Sequence, residues 1–374
     1  MRATVVVVVV VALLWLSACK TTSSRTLSAR VARPLAVPAA TGTEPPAEIQ
    51  VPVELVRTPT TIDFVVDDAP VHLGALLTAA RHDRGPGIVI VPGASDISKE
   101  GIRKSDGVVM YATPLATGDA WSTKLAERGA VVLTYDKRTC GPNDVATCHK
   151  NPQSDIDAEG PAALAKDVDA ACGVIKAAPG FDGRLVLWAH GQAAQVALAS
   201  SCAREAAAIV LLSPVPRAID AVLISGLHDR HQQSEAGAKA ASSPLEHTAL
   251  LDKASALKNL AGTRAAGFAS MKAGKFAKDA RVDGATIAFW LGWIALTDKT
   301  SALLEPVKAR VIVVVGSGDQ QLSAADREAA QQLPAAAMVV VDADHYLLVD
   351  GALNDGVVQQ ISEAVDLVIG APPS

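Results

Sequence analysis

The residues with the clearest chemical meaning follow an apolar run at positions 185–188. There the sequence reads A-H-G-Q-A at positions 189–193 and continues into an alanine-rich segment. In a nucleophile elbow, a serine occupies a sharp strand-to-helix turn, with small residues two positions away on either side. Ala189 and Ala193 are small flanking residues of this kind, so Gly191 occupies the nucleophile position. Because glycine has no side chain, the motif has the spacing of the elbow but lacks the hydroxyl that would attack.

The size of the flanking residues indicates which residue is at the centre of this motif. If His190 were the central residue, its flanking residues would be Trp188 and Gln192, and both are too bulky for a close approach of strand and helix. The elbow residue has a positive φ, which glycine adopts without strain, so the fold does not depend on a serine here. The alternative interpretation is an ordinary strand–turn–helix connection with a glycine at the turn.

Four further segments follow predicted β-strands and carry glycine or polar residues. They are Pro92-Gly93-Ala94, Tyr135-Asp136-Lys137-Arg138 with Cys140-Gly141, Gly316-Ser317-Gly318-Asp319, and Asp344-His345-Tyr346-Leu347. With the elbow, they form a series that resembles the α/β-hydrolase superfamily over roughly residues 60–370. The order of nucleophile position, acid and histidine is the order of that superfamily. Within that superfamily, this series of motifs is most similar to bacterial lipase-like and serine-aminopeptidase-like hydrolases with a helical cap.

The resemblance implies a role for each matching residue. His345 would be the general base and Asp319 the acid that orients it. The backbone amides of Gln192 and Ala94 would donate to an oxyanion. Gly191 would be the nucleophile, but this role cannot be carried over from the superfamily, because without a hydroxyl no acyl-enzyme can form. The predicted base and acid are therefore vestigial.

A second departure and three nearby serines bear on this interpretation. The usual His-Gly of the oxyanion loop is replaced by Pro92-Gly93, which argues for drift away from hydrolysis. Ser95, Ser98 and Ser213 lie in loops near the predicted site, and we expect each to bond to its own backbone and none to occupy a strained turn. Direct activation of water by the histidine–aspartate pair is the catalytic alternative.

The pattern of elements predicts an α/β architecture. Eight candidate strands alternate with amphipathic segments, and the interior ones are continuous β-branched runs, typical of parallel strands covered on both faces. They are Thr61–Val66, Val71–Leu77, Gly87–Val91, Ala130–Tyr135, Leu185–Trp188, Ala208–Leu212, Val311–Val315 and Met338–Val341. We predict an α/β-hydrolase fold with a mostly parallel, doubly covered sheet of about eight strands and an inserted helical cap. The first two strands flank a turn signal and are expected to be antiparallel.

The cap is assigned to residues 214–306, between core segments 51–213 and 307–374. It contains helical patterns, one beginning with the capping box Ser243-Pro244-Leu245-Glu246. It also holds five aromatic residues: Phe268, Phe276, Phe289, Trp290 and Trp293. An insertion there would lie over the carboxyl ends of the strands, where ligands of open α/β sheets bind. The aromatic residues either hold the cap together or line its pocket.

The N-terminal residues have the pattern of an export signal. Residues 1–18 combine Arg2 with an apolar core that is shorter than the ~20 residues of a membrane span. They end in L-S-A-C, which resembles the lipobox of bacterial lipoproteins and implies acylation of Cys19. Residues 19–50 would then be a lipidated cysteine and a flexible tether, and the protein would be exported and bound to membrane lipid through Cys19. By the sorting rule of enterobacterial lipoproteins, Lys20 favours the outer membrane. The alternatives are a plain signal peptide and an uncleaved anchor.

Four cysteines remain after Cys19, an even number that favours disulfides in an oxidising compartment. Cys140 and Cys148 bracket a short loop and could close it. Cys172 and Cys202 lie on helices before and after the elbow strand, and the proposed fold packs these helices side by side. The alternative is that all four are buried free thiols.

Composition and motifs exclude several other classes. The formal net charge is −5, without a basic patch, so no nucleic-acid partner is predicted. No phosphate-binding or dinucleotide-binding loop occurs, and we predict no cofactor and no metal. His228, His231 and His247 lack the further carboxylates of a metal site. The sequence thus favours a lipoprotein with a catalytically impaired hydrolase fold that binds a small acyl or peptide-like ligand or a protein partner in the capped pocket. The alternative is an active esterase or peptidase that uses water or a non-standard nucleophile.

Overall fold

The computed structural model describes residues 53–66, 69–81, 84–93, 102–105, 108–111, 117–138, 160–277, 280–282 and 285–370. The predicted signal segment, Cys19 and the tether lie outside these ranges. So do Ala94, Ser95, Ser98, Cys140 and Cys148. Within the described residues, no helix combines the length and the apolar character needed to cross a bilayer.

An eight-stranded sheet forms the centre of the molecule. Its strands are β1 (Leu55–Val66), β2 (Ala69–Ala80), β3 (Gly85–Val91), β6 (Val131–Tyr135), β7 (Phe181–His190), β8 (Ala208–Leu212), β11 (Val311–Gly316) and β12 (Ala337–Val341), in the spatial order β1-β2-β6-β3-β7-β8-β11-β12. The strands from β6 to β12 are parallel, and β1 and β2 form the antiparallel end of the sheet. The predicted fold class and the antiparallel first pair are confirmed.

Burial explains why the central strands were visible in the sequence. Every residue of β6, β8 and β11 is buried, which requires the continuous apolar runs from which these strands were predicted. The strands β1 and β2 are longer than predicted, and β1 also includes Thr58, Pro59 and Thr60. These additional residues lie where β1 is the edge strand, so their side chains need not be apolar on both faces.

Nine helices in the described part of the chain flank the sheet or extend the core. They are α1 (Thr117–Ala126), α2 (Pro161–Lys176), α3 (Ala193–Ala199), α4 (Ile219–Ala240), α5 (Pro244–Lys272), α6 (Ile287–Thr297), α7 (Thr300–Leu304), α8 (Ala324–Gln331) and α9 (Asp355–Ile369). One face of the sheet packs against residues such as Val168, Ile175 and Trp293. The other face packs against residues such as Trp121 and Ile361. Apolar cores thus cover both faces of the sheet.

Three short hairpins were not predicted. They pair β4 (Ile102–Ser105) with β5 (Val108–Tyr111), β9 (Arg281–Val282) with β10 (Ala285–Thr286), and β13 (Leu348–Val349) with β14 (Ala352–Leu353). Each has strands of only two to four residues. A strand this short has too few alternating positions to give a periodic signal.

Between β8 and β11, the chain forms α4 to α7. The capping box at the start of α5 is present, because Ser243 Oγ accepts a hydrogen bond from the Glu246 amide at 3.2 Å. Ala254, Ala261 and Phe268 are the buried positions at seven-residue intervals along α5. This heptad spacing presents one side of α5 to α4, with two alanines at the seam that allow a close approach. The two helices therefore form an antiparallel hairpin.

A disulfide joins Cys172 of α2 to Cys202. Cys202 belongs to a short 3-10 helix, Ser201–Arg204, that follows α3. This pairing was predicted from the expected packing of the two helices, and the bond ties the elements on either side of the elbow strand.

Candidate active site

The elbow lies where β7 ends and α3 begins. Gly191 has φ +59, and its amide donates a hydrogen bond to the carbonyl oxygen of Leu212 on the neighbouring strand at 2.9 Å. A Cβ placed on Gly191 would have no heavy atom within 4 Å. The turn therefore has the left-handed backbone of a nucleophile elbow and open space where a side chain would begin.

His345 and Asp319, the residues predicted as base and acid, form a hydrogen-bonded pair. The distance from His345 Nδ1 to Asp319 Oδ2 is 2.7 Å. The Asp319 side chain is fully buried, whereas 12% of the His345 side chain remains exposed. The other carboxylate oxygen of Asp319 accepts the amides of Gln321 at 2.7 Å and Leu322 at 3.0 Å. The acid is thus fixed by its own loop.

The electrostatics of this pair set its protonation. Burial alone would raise the pKa of Asp319, but the hydrogen bond and charge of His345 and the amides of Leu322 and Gln321 outweigh it and lower that pKa. An ionised carboxylate can only accept a hydrogen bond, so His345 Nδ1 carries a proton and donates it in this bond. A neutral His345 therefore has its lone pair on Nε2, as a general base requires.

His190 is a residue of this site to which the sequence assigned no role. Its Nε2 lies 2.9 Å from the carbonyl oxygen of His345, so Nε2 carries the proton and donates. The two rings meet edge to face with centroids 4.7 Å apart, and His190 stacks on Tyr346 at 5.3 Å. Burial and the charge of His345 lower the pKa of His190 to about 3. The side chain is therefore a neutral donor that holds the main chain of His345.

Ser213 corrects one expectation. It has φ +44, so a serine near the site does occupy a strained conformation. Its Oγ donates to the carbonyl oxygen of His345 at 2.9 Å, rather than to its own loop. The side chain is fully buried, and its proton is directed at this carbonyl. His190 and Ser213 thus donate to the same oxygen, and Ser213 supports the histidine loop.

The predicted oxyanion donors are only partly described. The amide of Gln192 has no hydrogen-bond acceptor among the described residues, whereas Ala94 lies outside them. Gly93 contacts the elbow, because a Cβ added there would begin 3.5 Å from His190 Nδ1. The end of β3 therefore lies beside the elbow.

Two of the three cap histidines have structural partners. His231 and His247 contact the carbonyl oxygens of Ala254 and Ala238 through Nδ1, at 3.0 and 2.7 Å. In the described part of the chain, no three metal-ligating side chains gather in one group.

Four of the five cap aromatic residues make ring contacts with one another, whereas Phe276 is exposed. Phe268 and Trp293 are buried. Trp290 meets Phe268 and Phe289 edge to face, with centroids 5.2 and 5.6 Å apart, and its Nε1 donates to the carbonyl oxygen of Val282. Of the two interpretations of these residues, these contacts favour the one in which they hold the cap together.

Comparison with known proteins agrees with this architecture. A family model described as the alpha/beta hydrolase family matches residues 88–355, so the chain belongs to this family. No curated protein matches the chain significantly.

Solved structures similar to the chain have low sequence identity. DcsB in complex with its substrate analogue is 14% identical, over 83% of this chain and 99% of that chain, with a TM-score of 0.49. A thermophilic esterase from Thermogutta terrifontis with malate bound is 17% identical over 84% and 100%, with a TM-score of 0.46. Dienelactone hydrolase from Anabaena variabilis is 14% identical over 83% and 97%, with a TM-score of 0.43.

Proposed function

We propose that this protein is a lipid-anchored envelope protein whose α/β-hydrolase site binds a ligand without forming a covalent acyl-enzyme. The single observation that carries the proposal is Gly191, with the positive φ and the open Cβ direction of an elbow but no side chain. Covalent acyl transfer needs a nucleophile within reach of the base. Of the three serines considered as alternative nucleophiles, Ser213 is the described one, and it directs its hydroxyl at a carbonyl oxygen.

The ligand site is the space between the elbow and the histidine loop. His345 offers a lone pair on Nε2, and the Gln192 amide offers a donor. The carbonyl of an ester or amide ligand could accept from the Gln192 amide, and the N–H of an amide ligand could donate to His345 Nε2. We propose a small acyl or peptide-like ligand. A hydrolase without its nucleophile retains only the ~10³–10⁴-fold acceleration over water that the oxyanion hole and binding supply.

A second candidate function is hydrolysis by activated water, favoured by the 2.7 Å hydrogen bond between His345 and Asp319. In this reaction His345 Nε2 takes a proton from water while the oxygen attacks the carbonyl carbon. The bond to the leaving group then breaks, and the proton passes from His345 to that group. The products are an acid and an alcohol or amine.

Two measurements on the purified full chain separate these candidates. A fluorophosphonate probe should label no serine, and short-chain p-nitrophenyl esters should turn over no faster than with the His345→Ala variant. A labelled serine would overturn the proposal. Turnover that the His345→Ala variant loses, without labelling, would establish the water mechanism in its place.

The variant Gly191→Ser tests whether the remaining site geometry is in register. The open Cβ direction admits the hydroxymethyl group, so we expect fluorophosphonate labelling at position 191 and measurable esterase activity. Gly191→Ala is the matched control, because it has the same backbone cost and no hydroxyl. If Gly191→Ser folds but stays unlabelled, the elbow and His345 are not aligned as an active site.

The membrane anchor is proposed on the L-S-A-C motif that ends in Cys19. Acylation of this cysteine would place the protein in the bacterial envelope, with Lys20 favouring the outer membrane. Residues 20–50 would then give the domain its reach from the membrane surface.

A further inference from the structure

Helix α6 has an exposed face that its composition does not explain. Its sequence, I-A-F-W-L-G-W-I-A-L-T, contains no charged residue, and helices that are apolar on every side are normally buried on every side. Trp293 and Ile294 are buried. Ala288, Leu291 and Ala295 are nevertheless exposed. They recur at three- and four-residue spacing, so they share one side of the helix.

Of these three residues, Ala295 lines a groove, together with Gly292 and Leu296 of α6. This groove, the α2–α6 groove, lies between α2, the end of α3, α6 and α7. Its volume is about 870 Å³, within the ~300–1,000 Å³ of typical small-molecule sites. Most of its lining is apolar, including Ala162, Leu198, Ala295 and Leu303. Small side chains predominate there, and this leaves the width for an occupant.

The charges of the groove are mainly positive. Arg204, Lys299 and Lys166 belong to its lining, and all three are exposed. The described lining contains one carboxylate, Asp169, whose Oδ1 accepts the Cys202 amide at 3.1 Å. The whole chain, in contrast, has a net charge of −5. A local excess of cations beside an apolar surface complements a ligand with an apolar body and an anionic end.

We propose that the α2–α6 groove binds the chain of a long-chain fatty acid, with the carboxylate near Arg204 and Lys299. The acyl chain would cover Ala295 and Leu296 and remove apolar surface from water, which supplies most of the affinity. The two cations would select the acid over its neutral alcohol. This site is separate from the elbow and does not depend on the function proposed there.

The test is photo-crosslinking of the full chain, in membranes of the cells that express it, with a palmitic acid bearing a diazirine and an alkyne. We expect saturable labelling of peptides from α2, α6 and α7, which excess palmitate competes and 1-hexadecanol competes much less. The Ala295→Glu variant should require at least a tenfold higher probe concentration, because a carboxylate would then face the acyl chain. Lys299→Glu and Arg204→Glu should each weaken labelling about threefold, as for single exposed charge pairs.

Ala256→Glu is the matched control, since Ala256 is exposed on α5 away from the groove lining, and its labelling should match wild type. Because Cys172 and Cys202 are buried, resistance of their bond to a mild reductant, measured by alkylation of released thiols, shows that each variant is folded. The proposal is overturned if palmitate does not compete, if folded Ala295→Glu labels like wild type, or if crosslinks fall outside the groove. Equal competition by 1-hexadecanol would overturn the role of the two cations. Labelling that only an apolar protein segment competes would assign the groove to a protein partner.

Discussion

The main chain of His345 is held by two side chains that lie far away in sequence. The carbonyl oxygen accepts from His190 Nε2 and from Ser213 Oγ, each at 2.9 Å. Hydrogen bonds of this kind contribute about 1 kcal/mol each, and together they fix the position of the loop that presents the imidazole. The histidine loop is thus held in place although Gly191 has no hydroxyl, and this supports the proposed binding role.

His190 should make stability depend on pH. The pKa of about 3 in the folded protein lies below the ordinary value of 6.5, so the unfolded chain binds a proton that the folded chain does not. The free energy of unfolding therefore falls as pH decreases from about 6.5 towards 3. We expect a loss of about 1–2 kcal/mol between pH 7 and pH 5, measured by urea unfolding.

His190→Asn, which keeps a neutral donor, should lose most of this dependence. His228→Asn, at an exposed position, should keep it. A dependence between pH 7 and 5 that is the same in His190→Asn and wild type would contradict the assignment. Below pH 4, Asp319 adds a further loss in both proteins, because its pKa is also lowered on folding.

At the scale of elements, the disulfide fixes α2 against the chain that follows α3. Cys172 and Cys202 are 30 residues apart, and the closed segment contains the whole of β7 and the elbow. Closing a loop of this length restricts the unfolded chain by about 3–4 kcal/mol. We expect the Cys172→Ala/Cys202→Ala variant to lose free energy of unfolding of about this size in urea.

The matched control is Cys140→Ala/Cys148→Ala. Those residues are predicted to close a loop of only a few residues, for which the same model gives a smaller effect. If the 172/202 variant were as stable as wild type, the prediction that this disulfide stabilises the folded protein would be wrong. Reductant should lower the stability of the 140/148 variant to that of a chain without either bond.

For the whole molecule, the membrane anchor proposed at Cys19 can be tested directly. We expect the Cys19→Ser variant to move from the membrane to the soluble fraction after carbonate extraction, because it would lack the proposed acyl chains. The wild-type protein should carry a diacylglyceryl mass on a mature N-terminus at position 19. If Cys19→Ser remained in the membrane, the apolar segment of residues 1–18 would be an uncleaved anchor.

The central strands and the glycine at the elbow could be predicted from the sequence, because a buried β-branched run and small flanking residues are visible within a short window. The Cys172–Cys202 disulfide was predicted from the expected packing of two helices, with free thiols as the alternative, and the structure contains the bond. The pairing of Asp319 with His345 was expected from the resemblance to the α/β-hydrolase superfamily, in which an acid orients the histidine.

The residues that surround the Asp319–His345 pair could not be predicted from the sequence, because they come together only through tertiary packing. The hydrogen bonds from His190 and Ser213 to His345 join residues 155 and 132 positions apart, and the positive φ of Ser213 depends on the packing of β8 against its neighbours. The groove beside α6 likewise requires four elements to meet. The periodicity of apolar residues indicates which side of a helix or strand is buried. It does not indicate which distant side chain packs against that side, because this contact depends on how whole helices and strands pack.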